Sequence, residues 1–370
     1  MPEQPDLAMA AFGLAPAEWQ AQRTGDGSIN PTWFLRPVAS ASDWQWLLQQ
    51  INPEVFPDPA RVVRNQARIL TAHALAGLAE APALVPLVPV PENAVAPRGW
   101  RLLPERLGWL ADDGSLWRLQ PFVGGSRTLP RLDNLEQAWV AGRAFGALQR
   151  ALGALSPAQI EPPLPHFHEL DWQMQRLDGW VSKASQAGRR TIASELTAID
   201  RQRDLLQVQT AGPQGLIHGD CKLSNLLFDR TGQQVIAVID LDTVMWGRRA
   251  WDYGDLARSA LSGADETGLA GALPAVPLLL ELGRGFLDGL ADPADQHLRA
   301  AMVQAPRYIA LMLAIRFLLD HLHGDRYFRV GVRGQNLARA RRQLELCVRL
   351  AELEPALCAH WLQDGVSPPA

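Results

Sequence analysis

The chain has 370 residues, a formal net charge of −4, 47% hydrophobic and 20% charged residues, a composition ordinary for a soluble globular protein and long enough for two lobes with separate cores. That charge balance gives no support for a nucleic-acid or anionic-membrane partner, which would require a basic patch or tail. Cys221, Cys347 and Cys358 are an odd number without CxxC spacing, so neither a disulfide framework nor a zinc site is indicated, and a reducing, cytoplasmic setting is expected.

The N-terminal residues lack a basic stretch followed by an apolar core, so no signal peptide is expected, and "LPAVPLLLELGRGFLDGLA" is broken by charges well short of a membrane span. In chain order, residues 10–22 predict a short helix, and "GDGSINPTWFLRPV" a turn leading into an extended run. "WQWLLQQIN", from Trp44, predicts a strand. Val62, Gln66, Ile69 and His73 share the helical spacing of a segment from Pro59 to Gly77, with Asp58 placed to cap it and Pro59 at its first position. Pro-punctuated extended pieces come next, and the "ADDGS" turn predicts a hairpin. Breaker-rich "GGSRTLPRLDN" then changes the character of the chain. Asp133 and Glu136 predict a capping box at the head of a long helix carrying Leu135, Ala138, Gly142, Phe145, Leu148 and Leu152 along one face. Further helices are expected over about 296–323, kinked at Pro306, and over 334–353. The outline is α+β in two lobes, a sheet-rich one over 10–124 and a mainly helical one over 125–358, with 359–370 a loose tail and no internal repeat.

Chemistry concentrates in "LIHGDCKLSNLLFDRTGQQVIAVIDLDTVMWG", Leu216 to Gly247. "NLLFD-RTG-QQVIAVID" predicts a hairpin, which brings Asn225 at its entrance back beside Asp240 at its exit, with Asp220 one short loop away. Carboxylates are costly to bury unless paired or metal-bound. A set of carboxylate and amide oxygens suits Mg²⁺ better than zinc. Asp220 is then left to accept a proton from a hydroxyl nucleophile. The order "HGDCKLSN", "VIDLD", "DYGDLAR" resembles the aminoglycoside phosphotransferase and choline kinase superfamily, whose layout is that of protein kinases. The resemblance implies a two-lobed protein-kinase-like fold, ATP and Mg²⁺ as cofactors, Asp220 as catalytic base and Asn225 and Asp240 as magnesium ligands. It also implies that Lys222 faces the transferring phosphate. Asp242 is a candidate second metal contact or a solvated neighbour, His218 reads as loop scaffold, and Asp252 and Asp255 as residues that cap a helix and fix the loop.

In the first lobe, Gly27, Ser28 and Asn30 in "GDGSINPTW" are candidates to present donors to the nucleotide phosphates. Kinases of this type carry a sheet lysine held by a helix glutamate. The chain's two lysines are Lys183 and Lys222, and the segment Pro59–Gly77 has no acid, so both halves of that pair are absent. Arg36, Gln49, Gln50 and Arg64 are the possible substitutes. "GSINPTW", "WLLQQINPEVFPDPARVVRNQ", "IDLDTVMWG", "FHELDWQMQRL" and "AIRFLLDHLHGDRYF" further resemble the N-acetylhexosamine 1-kinases. That likeness implies phosphorylation of the anomeric hydroxyl of N-acetylglucosamine or N-acetylgalactosamine, with Arg316 and Tyr327 contacting the sugar. Asp320, four residues on, is positioned to pair with Arg316. A cation there argues against a polycationic aminoglycoside or choline as acceptor. Trp172, Trp180 and Trp246 are candidates to stack on a sugar ring. The alternatives are a kinase for another sugar or small alcohol, or a nucleotide-binding pseudokinase that regulates a partner.

Overall fold

Extended runs rich in aromatic and aliphatic side chains in the first third of the chain pair into an antiparallel sheet. The computed structural model describes residues 4–24, 29–39, 43–208, 211–262, 273–292 and 295–362. It divides into two units, Met1–Leu75 with Leu84–Ser126, and Ala76–Ala83 with Arg127–Ala370. Of the sequence candidates, Gly27 and Ser28 lie outside the described residues.

In the first unit, β1 (Trp19–Arg23), β2 (Thr32–Pro37), β3 (Trp46–Ile51), β4 (Arg101–Leu102), β5 (Trp109–Leu110) and β6 (Leu116–Pro121) form one sheet in the order β1-β2-β3-β6-β5-β4. Every neighbouring pair is antiparallel. Side chains alternate between faces. Trp117 and Leu119 therefore join Leu35, Leu48, Met9 and Phe12 in the core, while Arg118 between them points the other way. Trp117 stacks between Trp33 and Trp100 at centroid distances of 5.3 and 5.9 Å. Helix α2 (Pro59–Ala76) starts as predicted, Asp58 accepting the backbone N–H of Arg61 at 3.1 Å.

The predicted helix over 10–22 is not formed. Helix α1 occupies Gln4–Ala11 and stops where Gly13, at φ 78°, turns left-handed and the Leu14 N–H returns to the Met9 carbonyl. The chain then enters β1, because Trp19 to Arg23 find β2 as a hydrogen-bonding partner.

In the second unit, α3 (Leu135–Ala151) packs against α6 (Ala275–Leu290), and α4 (Leu170–Lys183), α5 (Arg249–Ser262) and α8 (Gln335–Trp361) pack against α7 (Gln296–Leu322). By length and composition α7 could cross a membrane, but 83% of its apolar window is buried, and here it is the core helix. It continues through Pro306. Helices α3 and α6 approach until their backbones touch. A β-carbon at Gly142 or Gly146 would lie 2.0 or 2.1 Å from a carbonyl of α6, so only glycine fits.

Two boundaries differ from expectation. The α3 cap is Asn134, whose side chain accepts the Gln137 N–H at 2.8 Å, with Gln137 Oε1 taking the Asp133 N–H. The sequence "LDNLEQ" offers two overlapping capping pairs; the Asn134 side chain supplies the cap, and Gln137 reaches back one residue further, to the Asp133 N–H. Helix α8 runs past 353 and through Pro355 to Trp361. Its last turns are held by tertiary packing, with Leu357 buried and Trp361 edge-on to Tyr253 at 5.4 Å. The expected loose tail therefore contributes part of the core, and 363–370 lie outside the described residues.

Candidate active site

The site is built on two antiparallel pairs in the second unit. β7 (Gln214–Ile217) pairs with β10 (Met245–Arg248), and β8 (Leu226–Asp229) with β9 (Val235–Val238), the predicted hairpin. The loop from His218 to Asn225 joins β7 to β8, and residues 239–244 join β9 to β10. The Ile239 N–H donates to the Asn225 carbonyl at 3.0 Å, so the two connections lie side by side.

Asp252, on α5 and 1% exposed, accepts the backbone N–H groups of His218 and Gly219 at 2.8 and 2.9 Å, and Gln149 donates to it at 2.7 Å. One buried carboxylate thus satisfies two loop amides, a charge-assisted arrangement stronger than neutral bonds. Gly219 is at φ 80°, and a β-carbon there would meet the Thr243 carbonyl at 2.6 Å, so the turn is closed to other residues twice over. Fully buried His218 accepts the Asp220 N–H at Nδ1 (3.2 Å), and its Nε2 lies 2.9 Å from the Ile239 carbonyl. It ties the two connections together and does not face the open side. The Leu223 N–H is taken by Ser259 Oγ at 3.0 Å.

On this frame Lys222 Nζ lies 2.7 Å from Asp220 Oδ2. Asn225 Nδ2 donates to the Asp220 carbonyl at 2.8 Å and to Oδ2 at 3.2 Å. Asp220 keeps 28% of its side chain open to solvent, a face that an incoming hydroxyl can reach. Partial burial would raise its pKa, but the Lys222 ammonium, with help from the Arg258 guanidinium, holds it below the ordinary value. Arg258 is itself fixed by Asp255 at 2.8 Å, and both are buried. Asp220 is a carboxylate at neutral pH.

Asp240 sits at the end of β9 in the left-handed region, φ 64° and ψ 58°, a conformation costly for a side chain with a β-carbon and frequent at functional sites. It keeps an exposed face, yet the protein packed around it and the neighbouring Asp242 charge raise its pKa to about 6. Asp242 itself is 2% exposed. Two crowded carboxylates with the Asn225 amide form a hard oxygen donor set, chemically suited to a magnesium-like cation that would relieve their mutual repulsion.

The other predicted substrate residues lie in a cavity of about 310 Å³ in the same unit, lined by Phe167, Trp172, Arg176, Arg316, Tyr327 and Phe328 among others. Arg316 Nη2 donates to the Tyr327 hydroxyl at 3.0 Å, and its guanidinium lies 4.1 Å from the Phe167 ring centre. The expected Arg316–Asp320 pair is not made. Asp320 is taken by the N–H groups of Arg326, Tyr327 and Phe328 and by Asn336, because the chain turning out of α7 needs its amides satisfied. The cavity adjoins the catalytic loop through His168, next to Phe167, whose Nε2 lies 2.9 Å from the Gly219 carbonyl. Burial first, then the Arg316 charge, pushes His168 down to about 3, so it is neutral and donates that bond. In the sequence His168 is marked only as a member of the quoted segment "FHELDWQMQRL", with no role attached to it. Of the three tryptophans considered, Trp172 lines the cavity.

In the first unit the missing lysine–glutamate pair has a counterpart. Buried Arg118 stands opposite Gln49 across β3 and β6, donating to its Oε1 at 2.9 Å from Nε and to Gln66 of α2 at 2.8 Å. Gln49 donates on to Thr32, and Thr32 to the Asn30 carbonyl. A cation thus bridges a strand and the helix here, with carboxamides for partners. The Asn30 side-chain oxygen accepts the Asn52 N–H at 3.0 Å. Arg36, Gln50 and Arg64 bond instead to Gln20, Gln4 and Asp58.

Residues 20–288 match the family model described as "Phosphotransferase enzyme family". Solved structures of similar fold include a choline/ethanolamine kinase family protein from Mesorhizobium loti, 18% identical over 97% of this chain and 96% of that one, at a TM-score of 0.55. An aminoglycoside phosphotransferase from Alicyclobacillus acidocaldarius is 16% identical over 98% and 96%, at 0.57. An amicoumacin kinase in complex with AMP-PNP and Ca²⁺ is 12% identical over 89% and 88%, at 0.56.

Proposed function

Because the chain belongs to the phosphotransferase enzyme family, we propose that it is an ATP-dependent small-molecule kinase acting on a sugar, the anomeric hydroxyl of an N-acetylhexosamine. The observation that carries this reading is the juxtaposition of a partly open Asp220, bonded to Lys222, with a cavity walled by Phe167 and Trp172 and furnished with the Arg316–Tyr327 donor pair. Aromatic faces suit the apolar face of a sugar ring, and a guanidinium and a phenol suit its hydroxyls.

In the proposed reaction the acceptor hydroxyl enters beside the open face of Asp220, whose carboxylate orients it and takes its proton. The bond from acceptor oxygen to the γ-phosphorus forms as the bond from that phosphorus to the departing ADP oxygen breaks. Lys222, already beside Asp220, offsets negative charge on the transferring group. Asp240 and Asn225, with Asp242 adjacent, would hold magnesium, which when bound neutralises charge on the nucleotide phosphates. Asn30, together with Gly27 and Ser28, is assigned to the nucleotide phosphates. With ATP as donor, the proposed setting is the cytoplasm.

The test is an ADP-release screen over N-acetylhexosamines, other sugars, amino alcohols and aminoglycosides. Magnesium-dependent turnover with N-acetylglucosamine or N-acetylgalactosamine, and a product phosphorylated at the anomeric position, is expected. Turnover only with an amino alcohol or aminoglycoside would replace the sugar reading. Nucleotide binding with no turnover on any acceptor would leave the pseudokinase reading, which the absent sheet lysine favours.

A further inference from the structure

The acceptor cavity holds two guanidinium groups and spends no carboxylate on either. Arg316 donates to the Tyr327 hydroxyl, and Arg176 reaches only the Gln173 side chain, at 3.4 Å. Among the described residues neither forms an ion pair, although arginines elsewhere in this unit do, with Glu80, Asp255 and Glu354. The acid on the cavity wall, Asp320, has both oxygens committed to backbone amides and Asn336. His323, also on the wall, has Nδ1 against the Leu319 carbonyl. Each guanidinium lies over a ring, Arg316 on Phe167 at 4.1 Å and Arg176 on Trp172 at 4.8 Å. A ring behind the planar group holds it flat and leaves its N–H edge for a ligand. The two cations also feel each other. Burial, then the Arg316 charge, holds Arg176 below the usual arginine value.

We propose that this cavity is a subsite for an anionic oxygen group, carboxylate or phosphate, carried by the acceptor and held by Arg176 and Arg316, so that the preferred substrate is an acidic sugar. The inference rests on the reading that the cavity receives the acceptor. A neutral sugar would leave two adjacent cations without a counter-charge, and a polycationic acceptor would be repelled by them. An anion relieves their repulsion and uses the planar forks that lysine lacks.

The test compares kcat/KM for N-acetylglucosamine with that for its 6-phosphate and for its uronic acid, in the wild type, Arg176→Gln and Arg176→Lys. One acidic form is expected to exceed the neutral sugar by about tenfold or more, the worth of a charge-assisted contact. Arg176→Gln should cut that ratio, Arg176→Lys should keep part of it, and unchanged thermal midpoints check folding. Which acid is preferred separates carboxylate from phosphate recognition. Calorimetry with glucuronate and with glucose 6-phosphate supplies a readout independent of turnover. Binding that weakens with salt and in Arg176→Gln is expected. Turnover of the neutral sugar equal to or better than both acids, with no acid bound, overturns the anionic subsite and leaves the sugar-kinase reading intact. Binding of the acids through Arg176, with no hexosamine phosphorylated, overturns the sugar-kinase reading and upholds the subsite.

Discussion

The loop around Asp220 and the cavity around Arg316 handle charge in opposite ways. In the loop, Asp252 answers two backbone amides, Asp255 holds Arg258, and Lys222 lies on Asp220. In the cavity, Arg316 and Arg176 lie over rings and form no ion pair among the described residues. On the proposed function, the first pattern fixes the reacting groups before a substrate arrives, and the second leaves a counter-charge to be supplied by the ligand. Reaction geometry is thus built into the fold, while selectivity depends on what fills the cavity.

The contrast can be broken most decisively at Asp220. Asp220→Asn is expected to lower kcat by about 10²–10⁴-fold with nucleotide affinity kept, measured by steady-state kinetics and nucleotide titration. An active variant would remove Asp220 from the proton-transfer role. Asp252→Asn turns an acceptor of two amides into a group with its own donor. A loss of about 2–3 kcal/mol in denaturant unfolding, with a fall in kcat, is expected. Unchanged stability would mean that the loop is held by something else. Arg316→Ala should act on the other region alone, raising the acceptor KM by about tenfold or more with the KM for ATP unchanged.

A pH-dependent effect sharpens the link between the regions. His168 titrates at about 3 in the folded chain against an ordinary 6.5, from burial and the Arg316 charge. The unfolded state takes up a proton that the folded state refuses, so this contribution is complete above pH 6.5 and is lost as pH falls from there toward 3. A stability slope steeper than that of His168→Gln by about 1 kcal/mol per pH unit is expected over this range. Parallel slopes would show that His168 is not held neutral.

The loop is legible in the sequence because its chemistry is local: a strand, eight residues, a hairpin and an acidic turn, each with its own pattern. The same holds for the Asp58 cap and for β3. The first helix is not, because the segment's apolar spacing suits either element, and the choice is made by pairing with β2, a partner further along the chain. The reach of α8 to Trp361 depends on burial against Tyr253, whereas Pro355 argues locally for an earlier stop. The cavity is half legible. Arg316 and Tyr327 are marked by a resemblance, but helical spacing assigns Asp320 to Arg316 and cannot show that three amides of the next turn compete for it. Arg176 and His168 lie in "FHELDWQMQRL", which the resemblance marks as a segment without giving either residue a role, and the Arg118 network joins Gln49 and Gln66 from separate segments that no local pattern links.

The scarcity of lysine has a practical consequence. Lys222 lies against Asp220, and the chain's other lysine, Lys183, stands exposed at the end of α4. An amine-directed acylating reagent therefore meets, apart from the chain terminus, one solvated amine and one held by the Asp220 carboxylate. The mass increment on the Lys222 peptide, read against the Lys183 peptide as an internal standard, reports occupancy of the site with no substrate identified and no turnover required.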